Sequence, residues 1–98
     1  MRIQQLSVFL ENKPGRLSSV CRALAEAGIN LITLSLADTR QFGILRLIVA
    51  DWQKARQVLE GCGCAVTITD VLAVEVADKP GGLAAILNLV EAAGISVE

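Results

Sequence analysis

Apolar and polar residues alternate along four short stretches of this chain, and two longer stretches place apolar residues every three or four positions. The alternation predicts strands at 4–10, 29–37, 44–50 and 65–69. The helical spacing of Leu17, Val20, Cys21 and Leu24 predicts one amphipathic helix that ends near Gly28. A second helix is predicted after Asp51, a residue suited to capping a helix start.

These elements follow one another in the order β-α-β-β-α-β, which is complete by about Thr69. Two right-handed crossovers on one face of a sheet give the strand order 4-1-3-2, in which every neighbouring pair is antiparallel. The predicted fold is therefore α+β, a ferredoxin-like α/β sandwich in which one layer of helices covers an antiparallel sheet.

The pattern then starts again. Residues 72–98 align without a gap on residues 6–32, with nine of 27 positions identical. We therefore predict a complete domain at 1–70 and the first half of a second domain at 71–98. The second copy stops where its second strand begins, which suggests a truncated product or a half-domain completed by another molecule. An unpartnered amphipathic half would expose apolar surface, so we predict self-association, as a homodimer or a larger assembly.

Composition and charge exclude several classes of function. The nine basic and ten acidic residues are scattered, with a net charge of −1, so we predict no nucleic-acid partner. The chain has no histidine and no tyrosine, which removes histidine-based catalysis and the commonest metal ligand. Cys62 and Cys64 cannot close a metal site alone, so we predict no metal and no cofactor. No segment reads as a secretory signal or a membrane span, and the default expectation is a cytoplasmic protein.

A Pro-Gly turn lies between the first strand and helix of each copy. The two turns read Asn12-Lys13-Pro14-Gly15-Arg16-Leu17 and Asp78-Lys79-Pro80-Gly81-Gly82-Leu83. Such a turn can present free N–H groups, at about residues 15–17, to a carboxylate at the positive end of a helix. The Asn12 oxygen, or the Asp78 carboxylate, could accept a hydrogen bond from an ammonium group. The same motif is also an ordinary turn and cap, but its repetition in register favours ligand binding.

An apolar strand, then Glu-Asn-Lys-Pro-Gly-Arg-Leu at 11–17, then a helix ending in Ala-Gly and followed by Ile-Asn-Leu, resembles the ACT domain family. The resemblance implies a regulatory module that binds an amino acid between two paired domains and controls an enzyme of metabolism. It places Asn12, Gly15, Arg16 and Leu17 at one site, Asp78, Gly81, Gly82 and Leu83 at the equivalent site, and Asn30 across the interface. Leu10 and Val76 stand where serine-sensing members carry histidine, which implies a more apolar ligand.

The two turns differ in one charge. Arg16 adds a cation to the first, whereas Gly82 is expected to leave the second smaller and more open. We therefore expect the two sites to differ in affinity or ligand, with a more acidic ligand at the first. The sequence thus predicts a non-catalytic amino-acid sensor. The alternative is an assembly module that dimerises and binds no small molecule.

Overall fold

The computed structural model describes residues 2–11, 13–38 and 42–97. The elements in chain order are β1 (Arg2–Glu11), α1 (Arg16–Glu26), β2 (Leu31–Asp38), β3 (Phe42–Val49), α2 (Trp52–Gly61), β4 (Ala65–Leu72) and α3 (Gly82–Ala92). The four strands form one sheet in the order β2-β3-β1-β4, with every neighbouring pair antiparallel. This is the predicted order read from the opposite edge, so the predicted fold is confirmed.

The core lies between the sheet and the first two helices. Leu6 and Val8 of β1 are fully buried and stand opposite Leu47 and Leu45 of β3. Because facing residues of an antiparallel pair share a side of the sheet, these four side chains form one apolar surface. The helices cover it with two buried residues each: Val20 and Leu24 from α1, and Ala55 and Leu59 from α2. Full burial of one such side chain contributes about 1.5–3 kcal/mol.

The start of α2 is set by a side-chain cap, as the sequence predicts. The Asp51 carboxylate accepts a hydrogen bond from the Lys54 backbone N–H at 3.1 Å. This bond satisfies one of the N–H groups that have no partner at a helix start. Trp52, the only tryptophan of the chain, opens α2 and packs half-buried against the core. Its fluorescence therefore reports on the sandwich formed by β1–β4, α1 and α2.

The second copy forms its helix but not its strands. The repeat predicts a strand over residues 72–76 and the start of another near 95, yet residues 73–77 and 95–97 have no regular structure. A helix satisfies its own backbone hydrogen bonds, whereas a strand needs a neighbour, and the described residues include no strand beside residues 74–77. Within the described residues, α3 packs against no other helix or strand. In the C-terminal segment, residues 73–97, the helix α3 therefore stands apart from the sandwich.

Candidate functional site

The turn between β1 and α1 has a defined backbone. The Lys13 N–H donates to the Glu11 carbonyl at 2.8 Å, and the Arg16 N–H donates to the Lys13 carbonyl at 3.3 Å. Gly15 is the N-cap of α1 and has a left-handed backbone, with φ of 85°. A side chain at that angle clashes with the following carbonyl, so the turn favours glycine.

The start of α1 presents backbone N–H groups without a partner among the described residues. No side chain caps the helix, and Gly15, Leu17 and Ser18 find no acceptor for their N–H groups among the described residues. The Arg16 N–H is different, because the turn itself engages it. The expectation of free N–H groups over the whole run 15–17 is therefore wrong at Arg16. The donors that remain lie at the positive end of the helix dipole, which favours an anion.

A small cavity of about 80 Å³ opens beside this turn. The residues that line it are Leu10, Glu11, Lys13, Arg16, Leu17, Leu36 and Gly43. Lys13 Nζ lies 2.9 Å from a Glu11 carboxylate oxygen. The hydrogen bond from Lys13 and its positive charge together hold the pKa of the Glu11 carboxyl below its ordinary value. Glu11 is thus ionised at neutral pH, and Lys13 balances its charge.

Arg16 adds a second cation to the cavity, whereas Glu11, the acid that lines it, forms its ion pair with Lys13. The Nε atom of Arg16 is buried, and within the described part of the chain it has no hydrogen-bond partner. Burial of a charged donor without an acceptor is costly, and the cost disappears when an acceptor arrives. Together with the free N–H groups, this guanidinium makes the cavity suited to a carboxylate.

The sequence analysis missed two lining residues, Leu36 of β2 and Gly43 of β3. A Cβ built at Gly43 would lie 3.4 Å from Leu36 Cδ1, so the Leu36 side chain lies directly beside Gly43. Strand register carries the signal that could have found them. Gly43 of β3 stands opposite Leu10 of β1, and Leu36 of β2 stands opposite Leu45 of β3.

The outer strand β2 leaves apolar surface beside the cavity. Leu34 and Leu36 face the same side of the sheet as the buried core, yet they are 45% and 51% exposed. Neither α1 nor α2 packs against β2 in the described residues. The cavity therefore lies next to an uncovered apolar edge.

The structure does not bring the predicted Asn30 to this turn. Asn30 is exposed and precedes Leu31, which pairs with Val49 at one end of β2. The turn lies at the other end, where Asp38 pairs with Gly43. One chain alone cannot bring the two together, so a role for Asn30 across an interface stays a prediction. Asn12 lies outside the described residues.

The second turn repeats the backbone of the first. Gly81 has φ of 85°, no side chain caps α3, and the Gly82 N–H donates to the Lys79 carbonyl at 3.0 Å. Asp78 and Leu83 are exposed. Gly82 differs from Arg16 by necessity, because a Cβ there would overlap the Ala77 carbonyl oxygen. The expectation that glycine leaves this turn more open is therefore wrong, since Gly82 is a point of close backbone contact.

Gly15→Ala is expected to destabilise the sandwich by about 1–2 kcal/mol, because alanine is strained at φ of 85° while its Cβ has open space. Gly61→Ala is the matched control. It also adds a methyl group in open space, but on a helix, where alanine is favoured by about 0.5–1 kcal/mol. Urea unfolding followed by Trp52 fluorescence measures both variants. Equal effects of the two substitutions would contradict the left-handed geometry of the turn.

The fold and the turn are those of a regulatory domain class, and comparison with known proteins identifies it. Residues 1–98 match the family model for the ACT domain pair. The chain belongs to the ACT domain family, as its resemblance implied. ACT domains are regulatory modules.

Two solved structures place the chain within this fold. Protein BT0572 from Bacteroides thetaiotaomicron is 47% identical, with a TM-score of 0.92 over 96% of this chain. This chain spans 65% of the length of that protein. The regulatory subunit of aspartate kinase from Thermus thermophilus, in a ligand-free form, matches 97% of this chain and 72% of its own at 21% identity, with a TM-score of 0.73.

A comparison with curated proteins found no match. In the part of the chain that the structure describes, no helix has both the length and the apolar character needed to cross a membrane. No group of three or more acidic, cysteine or histidine side chains is placed to hold a metal ion among those residues.

Proposed function

We propose that this chain is a non-catalytic sensor that binds a small amino acid at the β1–α1 turn, where a paired ACT domain completes the site. The observation that carries the proposal is the buried Nε of Arg16 beside the N–H groups at the start of α1, none of which has a partner among the residues that the structure describes. These donors suit a carboxylate. Every α-amino acid carries one carboxylate, and its side chain can carry a second.

The size of the cavity supports a small ligand. Pockets that enclose drug-sized molecules measure about 300–1,000 Å³, whereas this one measures about 80 Å³. A ligand larger than a few atoms would need further walls, and the uncovered edge at Leu34 and Leu36 is a surface on which another domain could supply them. A site shared in this way couples ligand binding to the packing of the two domains.

The ligand's ammonium group also needs an acceptor. The Glu11 carboxylate lines the cavity and is ionised, and Asn12, the next residue in the sequence, offers an amide oxygen as a second candidate acceptor. Charge-assisted hydrogen bonds contribute about 1.5–3 kcal/mol each. After the cost of association, two or three of them give micromolar to millimolar affinity, the range that suits sensing of a metabolite.

The output would be a change in domain packing that reaches a client enzyme of metabolism. The regulatory subunit of aspartate kinase, which shares the fold, is a precedent for an ACT protein of this kind. A cytoplasmic location and partnership with an enzyme are parts of the same proposal.

A second candidate function is an assembly module that binds no small molecule. The exposed apolar residues of β2 and α3 favour it, since they would be covered in any assembly. The two candidates differ in their response to amino acids, because only a sensor gains stability from a ligand.

A thermal unfolding screen against the twenty amino acids, followed by Trp52 fluorescence, tests the proposal. We expect at least one amino acid to raise the midpoint, by an amount equivalent to about 2.7 kcal/mol at a hundred times its Kd. Asn12→Ala is expected to remove this shift, while Asn88→Ala, an exposed control on α3, retains it. If no amino acid shifts the midpoint of the parent chain, the assembly function stands instead.

A further inference from the structure

Gly43 is a glycine that the backbone does not require. It is buried near the start of β3, opposite Leu10 of β1. Its φ is not in the left-handed region, so a residue with a side chain could adopt the same backbone conformation. Within a strand, glycine brings no side chain to pack and loses more conformational entropy on folding than other residues do. The reason for glycine at this position therefore has to come from the space around it.

The space beside Gly43 belongs to the cavity at the β1–α1 turn. A Cβ on Gly43 would lie on the side of the sheet that the helices cover, because Leu10 opposite it is part of the core. Apart from its neighbours along the chain, the described residues place one atom within 4 Å of that Cβ, which is Leu36 Cδ1 at 3.4 Å. A methyl group there would contact Leu36 and would take the rest of its room from the cavity.

The cavity has a charged side and an uncharged side. Lys13 and Arg16 line it at the turn, where α1 begins. Leu36 of β2 and Gly43 of β3 line it from the sheet and bring no charge, and we call these two residues the apolar wall. A ligand whose carboxylate is held by Arg16 and the N–H groups of α1 thus meets the apolar wall with its other atoms.

We propose that Gly43 is a specificity-determining residue of this site, because it leaves room at the apolar wall for the side chain of the amino-acid ligand. The ligand class that fits is an amino acid with a short side chain that is apolar where it meets Leu36 and Gly43. This inference rests on the proposed function, to which it adds the residue that limits the length of the ligand's side chain.

The small volume of the cavity makes a single methyl group significant. The cavity measures about 80 Å³, so a methyl group on its wall takes room that the ligand would otherwise fill. One methylene group more or less in an apolar pocket changes selectivity by about tenfold to two-hundredfold. A methyl group added at Gly43 is therefore expected to exclude the longer ligands and to spare the shortest.

Titration calorimetry of the full 98-residue chain with glycine, alanine, valine and leucine tests the inference, together with the ligand from the thermal screen. We expect the parent to bind an amino acid with a side chain more tightly than it binds glycine. Gly43→Ala is expected to weaken that preferred amino acid by about tenfold or more, and to weaken glycine by less.

Leu36→Ala is a second variant with the opposite expectation. It removes part of the apolar wall at a residue that is 51% exposed, so it enlarges the cavity without opening the core. We expect its preference to move towards a longer side chain. Gly61→Ala is the matched control, since it adds the same methyl group in open space on α2, away from the cavity. This control is expected to leave all affinities within about twofold.

Urea unfolding followed by Trp52 fluorescence verifies the fold of each variant. The midpoint of Gly43→Ala is expected at or above that of the parent, because alanine costs less conformational entropy than glycine. If the parent binds an amino acid and Gly43→Ala binds it equally well, the inference is overturned while the sensor function stands. Equal losses for glycine and for the longer ligands, or an unchanged preference in Leu36→Ala, would also overturn it. A parent that binds no amino acid would overturn the sensor function as well.

Discussion

Leu6→Ala is expected to lower the free energy of unfolding of the sandwich by about 2–5 kcal/mol. Leu6 has no exposed surface and lies on the central strand β1, between Leu47 of β3 and Ile68 of β4. Removing three carbon atoms there forfeits burial and leaves a cavity that paired strands on both sides cannot close. Small domains have only about 5–15 kcal/mol of stability, so this one substitution removes a large part of it.

The repeat offers a matched control in Leu72→Ala, the same substitution 66 residues further along. Leu72 is 75% exposed, so the expected change in the stability of the sandwich is within about 0.5 kcal/mol. Urea unfolding followed by Trp52 fluorescence measures both variants on the same cooperative unit. A large effect of Leu72→Ala on that transition would mean that the Leu72 side chain, at the end of β4, contributes to the core despite its exposure.

Arg16→Gln is expected to weaken binding of the amino-acid ligand by about tenfold to a hundredfold, because it removes a cavity cation whose buried Nε has no hydrogen-bond partner among the described residues. Glutamine keeps much of the length and a donor, so the loss reports on charge rather than on shape. The effect is expected to be larger for an amino acid with an acidic side chain. Titration calorimetry with the ligand from the thermal screen provides the measurement.

Arg22→Gln is the control for this substitution. Arg22 lies on the same helix, but it is exposed and does not line the cavity. The Arg22 substitution changes the net charge by the same amount and is expected to leave the affinity within about twofold. Six residues of helix separate the two arginines, about 9 Å of rise, which is close to the Debye length in physiological salt. Identical losses in the two variants would assign the effect to overall charge rather than to the site.

Much of the fold could be predicted, because the hydrophobic pattern gives the elements and the rules of chain topology then restrict how they can be arranged. Alternation in β1 gave the buried face of the central strand, and the Asp51 cap marked the start of α2. With the elements known, the right-handedness of the crossovers leaves few ways to order the strands. The structure has the predicted order.

The candidate site was predictable only in part. The Pro-Gly turn and Arg16 follow from the motif, since its chemistry is local. Leu36 and Gly43 do not, because they reach the cavity through the register of β2, β3 and β1. The use of the Arg16 N–H within the turn, and the close approach of Gly82 to Ala77, depend on backbone distances that no residue type specifies.

What the amino-acid sequence determined alone is whatever depends on neighbours along the chain: the helices, the two Pro-Gly turns and the apolar face of each element. The tertiary structure decided which of those faces are covered. Val8 and Val74 are the same residue in the same pattern, but one is buried in a sheet and the other is 56% exposed. The physical reason is that a strand and an apolar face are stabilised by partners distant in the chain or in another molecule. The repeat predicts which side chains form the apolar face, but not which residues cover it.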